Sequence, residues 1–249
     1  MISTAEIYEN LIRLGPQGIE TELATTTASL DQKPNKYIHY VELIRNIKFS
    51  KKNPTSRAFL LGYFLQQVGI HCNIPTERED FFKQSLVQYQ SFLSSGKNEN
   101  PDTHYFAQWQ TGVLQQSFGV KWPVVEGSYL RSLEYDTTRA EALKEILNYR
   151  CTNQEWRIAY IYSSYCIDEF LGKIPANKYW YIDPSFYNWK ILKYHIPILI
   201  AIRKKEEAKN FLYKLLDQLQ QNPENFTEKD RQDINGMKKR FETPLSAKE

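Results

Sequence analysis

The chain has 249 residues, of which 41% are hydrophobic and 14% aromatic, enough apolar mass for one extended domain or two small ones. Glycine (10) and proline (11) are scarce, which argues against an all-β protein with many tight turns and for long helices. The formal net charge is +3, with Lys and Arg scattered among comparable numbers of Asp and Glu, so a concentrated nucleic-acid-binding stripe is not expected.

Residues 1–14 lack a basic region followed by an apolar core, and so do not read as a secretory signal. Residues 3–14 predict a short helix ended by Gly15-Pro16. A weaker helix extends to Leu30, and residues 31–35 form a turn, making 1–35 a helical lead-in. From there Asn or Asp recurs before each helical pattern, as Asn53-Pro54, Asn100-Pro101, Asp136-Thr137, Asp183-Pro184 and Asn222-Pro223. Asn or Asp can accept the first unpaired N–H groups of a helix, and proline fits its first turn without losing a bond. Between these marks the 3.6-residue hydrophobic period predicts helix pairs. Residues 55–68 pair with 76–93, 103–118 with 123–135, 139–151 with 154–171, and 184–202 with 204–220. A leading helix over 37–51 precedes the pairs. A capping helix over 227–241 follows them, and the polar tail after it is expected to fray.

One helix pair cannot close a core alone, so successive pairs are expected to stack. Gly62, Gly112 and Gly127 fall inside helical patterns, where each costs about 1 kcal/mol relative to alanine, and predict close approach of a neighbouring helix. Pro197 should kink or split the helix over 184–202. The most apolar run, 196–202, is far shorter than the ~20 residues of a membrane span, and a cytoplasmic protein is expected. Three cysteines without metal-like spacing fit a reducing compartment rather than a disulfide framework.

Residues 204–223 look like the second helix of a tetratricopeptide repeat, with Ala208 at its small-residue position and Pro223 ending the unit. More specifically, Trp122, Arg139-Ala140-Glu141, Ile158-Ala159-Tyr160, Ile174-Pro175 and Tyr187-Asn188-Trp189 resemble a tetratricopeptide-like segment that often follows family-2-type glycosyltransferase domains. The resemblance spans residues 36–223, with residues 224–249 as a C-terminal cap and tail. It departs from the pattern at Thr137, Leu147 and Gln154, the last standing where a turn glycine is common. The sequence has no sugar-nucleotide Asp-x-Asp signature, so the resemblance carries over a scaffold and not catalysis.

Four histidines (His39, His71, His104 and His195) lack ligand spacing, so no metal and no cofactor are expected. Cys72 or Cys151 with a distant histidine would make a nucleophile pair, but no motif surrounds them, and a structural role is expected. The carboxylates Glu141 and Glu145 share a helix face, an arrangement common on helix surfaces. Aromatic density stands out between Trp156 and Tyr194. Most of it reads as interlocking core, but Tyr179-Trp180-Tyr181 falls in a loop, where packing demands it less. The candidate partner-binding set is therefore Arg139, Arg150, Tyr160, Tyr179, Trp180, Tyr181, Asp183 and Trp189, with no catalytic or metal residue.

These readings converge on an all-α fold, a right-handed superhelix of stacked antiparallel helix pairs of tetratricopeptide type. The expected function is a non-catalytic scaffold whose concave face binds a protein or peptide. As the resemblance implies, a glycan or a glycosyltransferase is a further expected partner. The alternative is a glycan-binding or glycan-active helical protein.

Overall fold

The computed structural model describes residues 37–38, 40–42, 45, 54–95, 100–176, 178 and 180–242, and every regular element among them is helical. The helices expected within residues 1–35 and the tail after 242 lie outside the described residues. Contacts gather the chain into two compact units. Unit 1 comprises Met1–Thr137 and Asn177–Ile182, and unit 2 comprises Thr138–Ala176 and Asp183–Glu249. Among the described residues no helix is long and apolar enough to cross a membrane.

Unit 1 contains α1 (Pro54–His71), α2 (Pro75–Ser94), α3 (Pro101–Ser117) and α4 (Trp122–Tyr135). α1 packs along α2 and α3 along α4, and α3 also touches both α1 and α2. The α1–α2 connection is closed by the Arg78 guanidinium, whose Nε and Nη2 donate to the Cys72 carbonyl at 3.0 and 2.8 Å. Asn100 caps α3 as the sequence predicts, its side chain accepting from the Asp102 amide at 2.9 Å. α3 is buried nearly all round from Asp102 to Leu114 although it carries His104, Gln108, Gln110 and Thr111. Gln108, Gln110 and Thr111 are bonded internally. Gln66 Nε2 donates to Gln110 Oε1 at 2.6 Å, Tyr89 Oη to Gln66 Oε1 at 3.0 Å, and Gln108 Nε2 to the Ser128 carbonyl at 3.2 Å.

Trp180 is part of this core rather than an exposed loop aromatic, with 1% of its surface accessible. Its ring lies 4.6 Å from Phe59, 5.2 Å from Tyr63 and 5.3 Å from Phe106 between centroids, and its amide donates to the Asp102 carboxylate at 3.0 Å. A loop that delivers an indole into an aromatic cluster is a packing element, so the expectation that Trp180 faces a ligand is corrected.

Unit 2 contains α5 (Glu141–Thr152), α6 (Trp156–Phe170), α7 (Ile191–Ala201), α8 (Lys205–Gln221) and α9 (Glu228–Glu242). Each packs on the next in order except that a π turn, Phe186–Lys190, leads into α7, and α5 also touches α7. α5 buries Leu143, Ile146 and Leu147, and α6 buries Ala159, Ser163, Cys166 and Phe170, each set on one face of its helix, while Cys151, Trp156, Tyr160 and Ile167 are only half-buried. α7 runs through Pro197 without a break, so of the expected kink or split the split does not occur. A π turn, Phe186–Lys190, stands directly upstream of α7.

Three hairpins close in one way. The N–H groups of Gly119, Gln154 and Arg203 donate to the carbonyls of Gln116, Cys151 and Ile200. The next N–H in each case reaches five residues back, to Gln115, Arg150 and Leu199, at 2.9–3.0 Å. All three residues are left-handed, with φ of 68°, 57° and 66°. This is the glycine-type helix stop, occupied by glycine only in the first hairpin. In the second and third, the following helix opens identically, with Ala159 bonded to Glu155 and Ala208 to Lys204, and both alanines fully buried. Asp136, by contrast, ends α4 rather than capping α5 and pairs with Lys178 at 2.6 Å.

Gly62 and Gly112 match the close-approach expectation, since an added Cβ would meet Tyr89 at 2.8 Å and Tyr129 at 2.5 Å. Gly127 does not, because nothing lies within 4 Å of its absent Cβ. Gly112→Ala should therefore lower stability by about 1–3 kcal/mol through overpacking, while Gly127→Ala should raise it by up to about 1 kcal/mol through helix propensity. Urea melts of the two variants, read side by side, check the contrast.

Candidate functional site

A cleft of about 570 Å³ opens in unit 2 between α5, the π turn with α7, and α9. Lys144 comes from α5, Lys190 from the π turn and Lys193 from α7, while Asp230, Asp233 and Arg240 come from one face of α9. The last three recur at i, i+3 and i+10, so a single helix presents them together. The π turn is held by Trp189, buried and stacked on Phe226 at 4.3 Å, which fixes the direction of Lys190. α9 starts with Thr227 and Asp230 capping each other. Thr227 donates through its amide (3.1 Å) and its hydroxyl (2.6 Å) to the Asp230 carboxylate, and the Asp230 amide donates back at 3.2 Å.

The cations are tied to carboxylates. Lys144 Nζ lies 3.2 Å and Lys190 Nζ 3.3 Å from Asp183, which also accepts from the Ser185 hydroxyl. Lys193 Nζ bridges Asp230 at 2.8 Å and Asp233 at 2.7 Å. Burial alone would push Asp183 and Asp230 up. For Asp183 the Ser185 bond and the charges of Lys144 and Lys190 outweigh it, and for Asp230 the bonds from Lys193 and Thr227 do, so both sit below the usual carboxylate value. Burial pushes Glu145 upward, opposed by Lys144 and assisted by Asp183. Burial, then Glu145, pushes the Tyr194 hydroxyl up to about 12, and that hydroxyl donates to Asn148 at 2.9 Å. Four lining cations meet the two lining carboxylates and the adjacent Asp183, which leaves the cleft a small positive excess and suits a ligand carrying negative charge. Gly236 lines the wall with open space where its side chain would be, which keeps the cleft clear.

The residues expected from the sequence fall elsewhere, Asp183 excepted. Trp180 and Tyr181 belong to unit 1. Tyr181 is half exposed and stacks on Trp109 at 5.9 Å between centroids. Tyr179 lies outside the described residues. In unit 2, Arg139 is wholly buried and bonds Glu141 at 3.1 Å. The same carboxylate accepts from Tyr187 Oη at 3.1 Å, and that oxygen accepts from the Ala140 amide at 2.8 Å. Arg139 is therefore structural rather than ligand-facing, and Glu141 is no member of an open carboxylate pair. Trp189 is likewise core. Arg150 pairs with Glu155 across the α5–α6 turn. Tyr160 accepts a bond from Lys204 at 2.6 Å and stacks on His195. The cleft lysines and α9 carboxylates were missed by sequence reasoning, which singled out none of them. The one available signal was the i, i+3 spacing of Lys190–Lys193 and of Asp230–Asp233.

Nucleophile chemistry finds little support. Burial pushes the Cys151 thiol up to about 11 and the Cys166 thiol higher still, which keeps both protonated near neutrality. Ser163 Oγ and His195 Nδ1 are 2.8 Å apart, but both residues are buried, and the serine also donates to the Tyr160 carbonyl. No protein-family model, curated protein or solved structure matches the chain.

His195 gives a pH expectation. Burial, with Lys204 adding to it and Glu207 opposing, lowers its imidazole from 6.5 to about 4. Between those values the unfolded chain binds a proton that the native chain refuses, so stability is complete above about 6.5 and declines as pH falls toward 4. Denaturant midpoints at pH 7 and pH 5 should differ for the native sequence, and His195→Gln should shrink that difference.

Proposed function

We propose that the chain is a non-catalytic binding module, built as a right-handed superhelix of tetratricopeptide-type hairpins, that holds an acidic segment of a protein or peptide partner in the α5–α7–α9 cleft. The observation that carries this reading is the excess of cations among the cleft's lining residues, held in place by ion pairs to Asp183, Asp230 and Asp233. Side chains fixed in advance lose little freedom on binding, so a modest cleft can still give useful affinity. The repeated left-handed hairpin stop and the equivalent buried alanines Ala159 and Ala208 support the tetratricopeptide part of the reading. Association with glycan assembly rests on the sequence resemblance alone.

A second reading follows from Tyr181. Its half-exposed ring, backed by Trp109, offers a flat aromatic face of the kind that stacks on a sugar ring. Tyr181→Ala is its test. The substitution should abolish glycan retention on an array while leaving the melting curve nearly unchanged, whereas equal retention would end this reading.

For the cleft, a display selection with random peptides should enrich Asp- and Glu-rich sequences. Their affinity should fall at least tenfold in Gly236→Trp, which fills the cleft, and in Lys193→Glu, which inverts its charge. Raising salt should weaken binding in parallel. Enrichment of neutral or basic peptides, or equal binding by Gly236→Trp, would remove the cleft from consideration.

A further inference from the structure

α6 is apolar on two opposite faces. One face, through Ala159, Ser163, Cys166 and Phe170, is buried within unit 2. The other carries Ile158, Ile161 and Tyr165 at i, i+3 and i+7, with 41%, 67% and 46% of their surfaces exposed. At 100° per residue these three fall within about 60° of one another on the helix, roughly opposite the buried stripe. An exposed apolar stripe on one helix marks a contact surface, since scattered surface apolar residues do not align in this way.

The charges around the stripe indicate its occupant. Arg157 stands at its N-terminal end, and Asp168 and Glu169 at its C-terminal end, all exposed. Beside Arg157 a second cleft, of about 640 Å³, is lined by Arg157, Ile158, Arg203 and Glu155 among others, the glutamate being paired with Arg150. The basic end and the acidic end lie at equal distances from a point between Tyr162 and Ser163. A two-fold axis through that point, running two copies of α6 antiparallel, would set each Arg157 beside the other copy's Asp168. Each acidic end would lie against the cleft that Arg157 and Arg203 line, where Glu155 is already paired with Arg150, and Ile161 would meet its counterpart near the axis. A pattern of basic end, apolar centre and acidic end on one helix is self-complementary under such an axis.

We infer that the outer face of α6 is a homodimer interface in which two copies of the chain pair antiparallel, Arg157 against Asp168. The inference is independent of the α5–α7–α9 cleft, which lies on other elements. α6 has 15 residues and is therefore about 22 Å long. A strip of that length falls short of the roughly 800 Å² per partner of a stable interface, so the dimer forms in the micromolar range.

Sedimentation velocity over roughly 1–300 μM measures it. The native chain should shift from monomer to dimer across that range. Ile161→Lys should weaken association more than tenfold with an unchanged melting curve, since the side chain is mostly exposed. Arg157→Glu should weaken it about tenfold, and Arg157→Glu combined with Asp168→Arg should recover it, because the swap restores opposite charges only in the antiparallel register. A chain that stays monomeric throughout, or a dimer indifferent to Ile161→Lys, would overturn the proposal. A double swap no stronger than Arg157→Glu alone would overturn the antiparallel pairing.

Discussion

A helix hairpin is too thin to enclose its own apolar surface, and that shortage governs both units. The inner helices solve it by being buried on more than one side. In unit 2, α7 is contacted by α5, α6 and α8, and it buries Ile191, Leu192, Ile196, Ile198 and Leu199 in a stretch of nine residues. In unit 1 the equivalent helix, α3, is far more polar, and it survives burial because its amides and hydroxyls find partners on α1 and α4 or on its own backbone. A buried amide left without a partner would cost about 1–3 kcal/mol, so these bonds are a condition of α3 occupying the centre.

The left-handed stop is the second device the hairpins share. It reverses the chain within two or three residues and delivers the next helix with a small side chain, Ala159 or Ala208, against its neighbour. Gln154 and Arg203 accept this conformation without being glycine, a strain on the order of 1 kcal/mol each that the packed hairpins on either side sustain. At the α1–α2 turn Arg78 satisfies the helix-end carbonyl with its side chain instead.

Helix pairing was legible because apolar residues at i, i+3 and i+4 and the Asn-Pro and Asp-Pro marks are local signals. The stripes on α5 and α6 and the cap at Asn100 follow directly from them. What escaped were long-range facts. Nothing local says that Trp180 inserts among Phe59, Tyr63 and Phe106, residues more than seventy positions earlier. A polar α3 reads as a surface helix until its partners are known. Gly127 has the same local context as Gly112 but no neighbour above it. The cleft escaped for the same reason, since its lysines come from three separate elements and each alone resembles an ordinary solvated side chain.

The arrangement of charge in that cleft also limits how it can bind. Each lysine already has a carboxylate beside it, so an incoming anion gains less than it would from bare cations, and strong nonspecific attraction is suppressed. What the carboxylates give in return is position. Lys193 commits two of its three N–H donors to Asp230 and Asp233, which leaves one pointing in a direction set by α9 and its Thr227 cap. Lys144 and Lys190 are drawn toward one point by Asp183, which itself begins the segment that turns into the π turn. A ligand would therefore be selected by the spacing of its negative groups more than by its total charge. In the binding role proposed above, that is the behaviour expected of a surface that must ignore most of the acidic chains it meets.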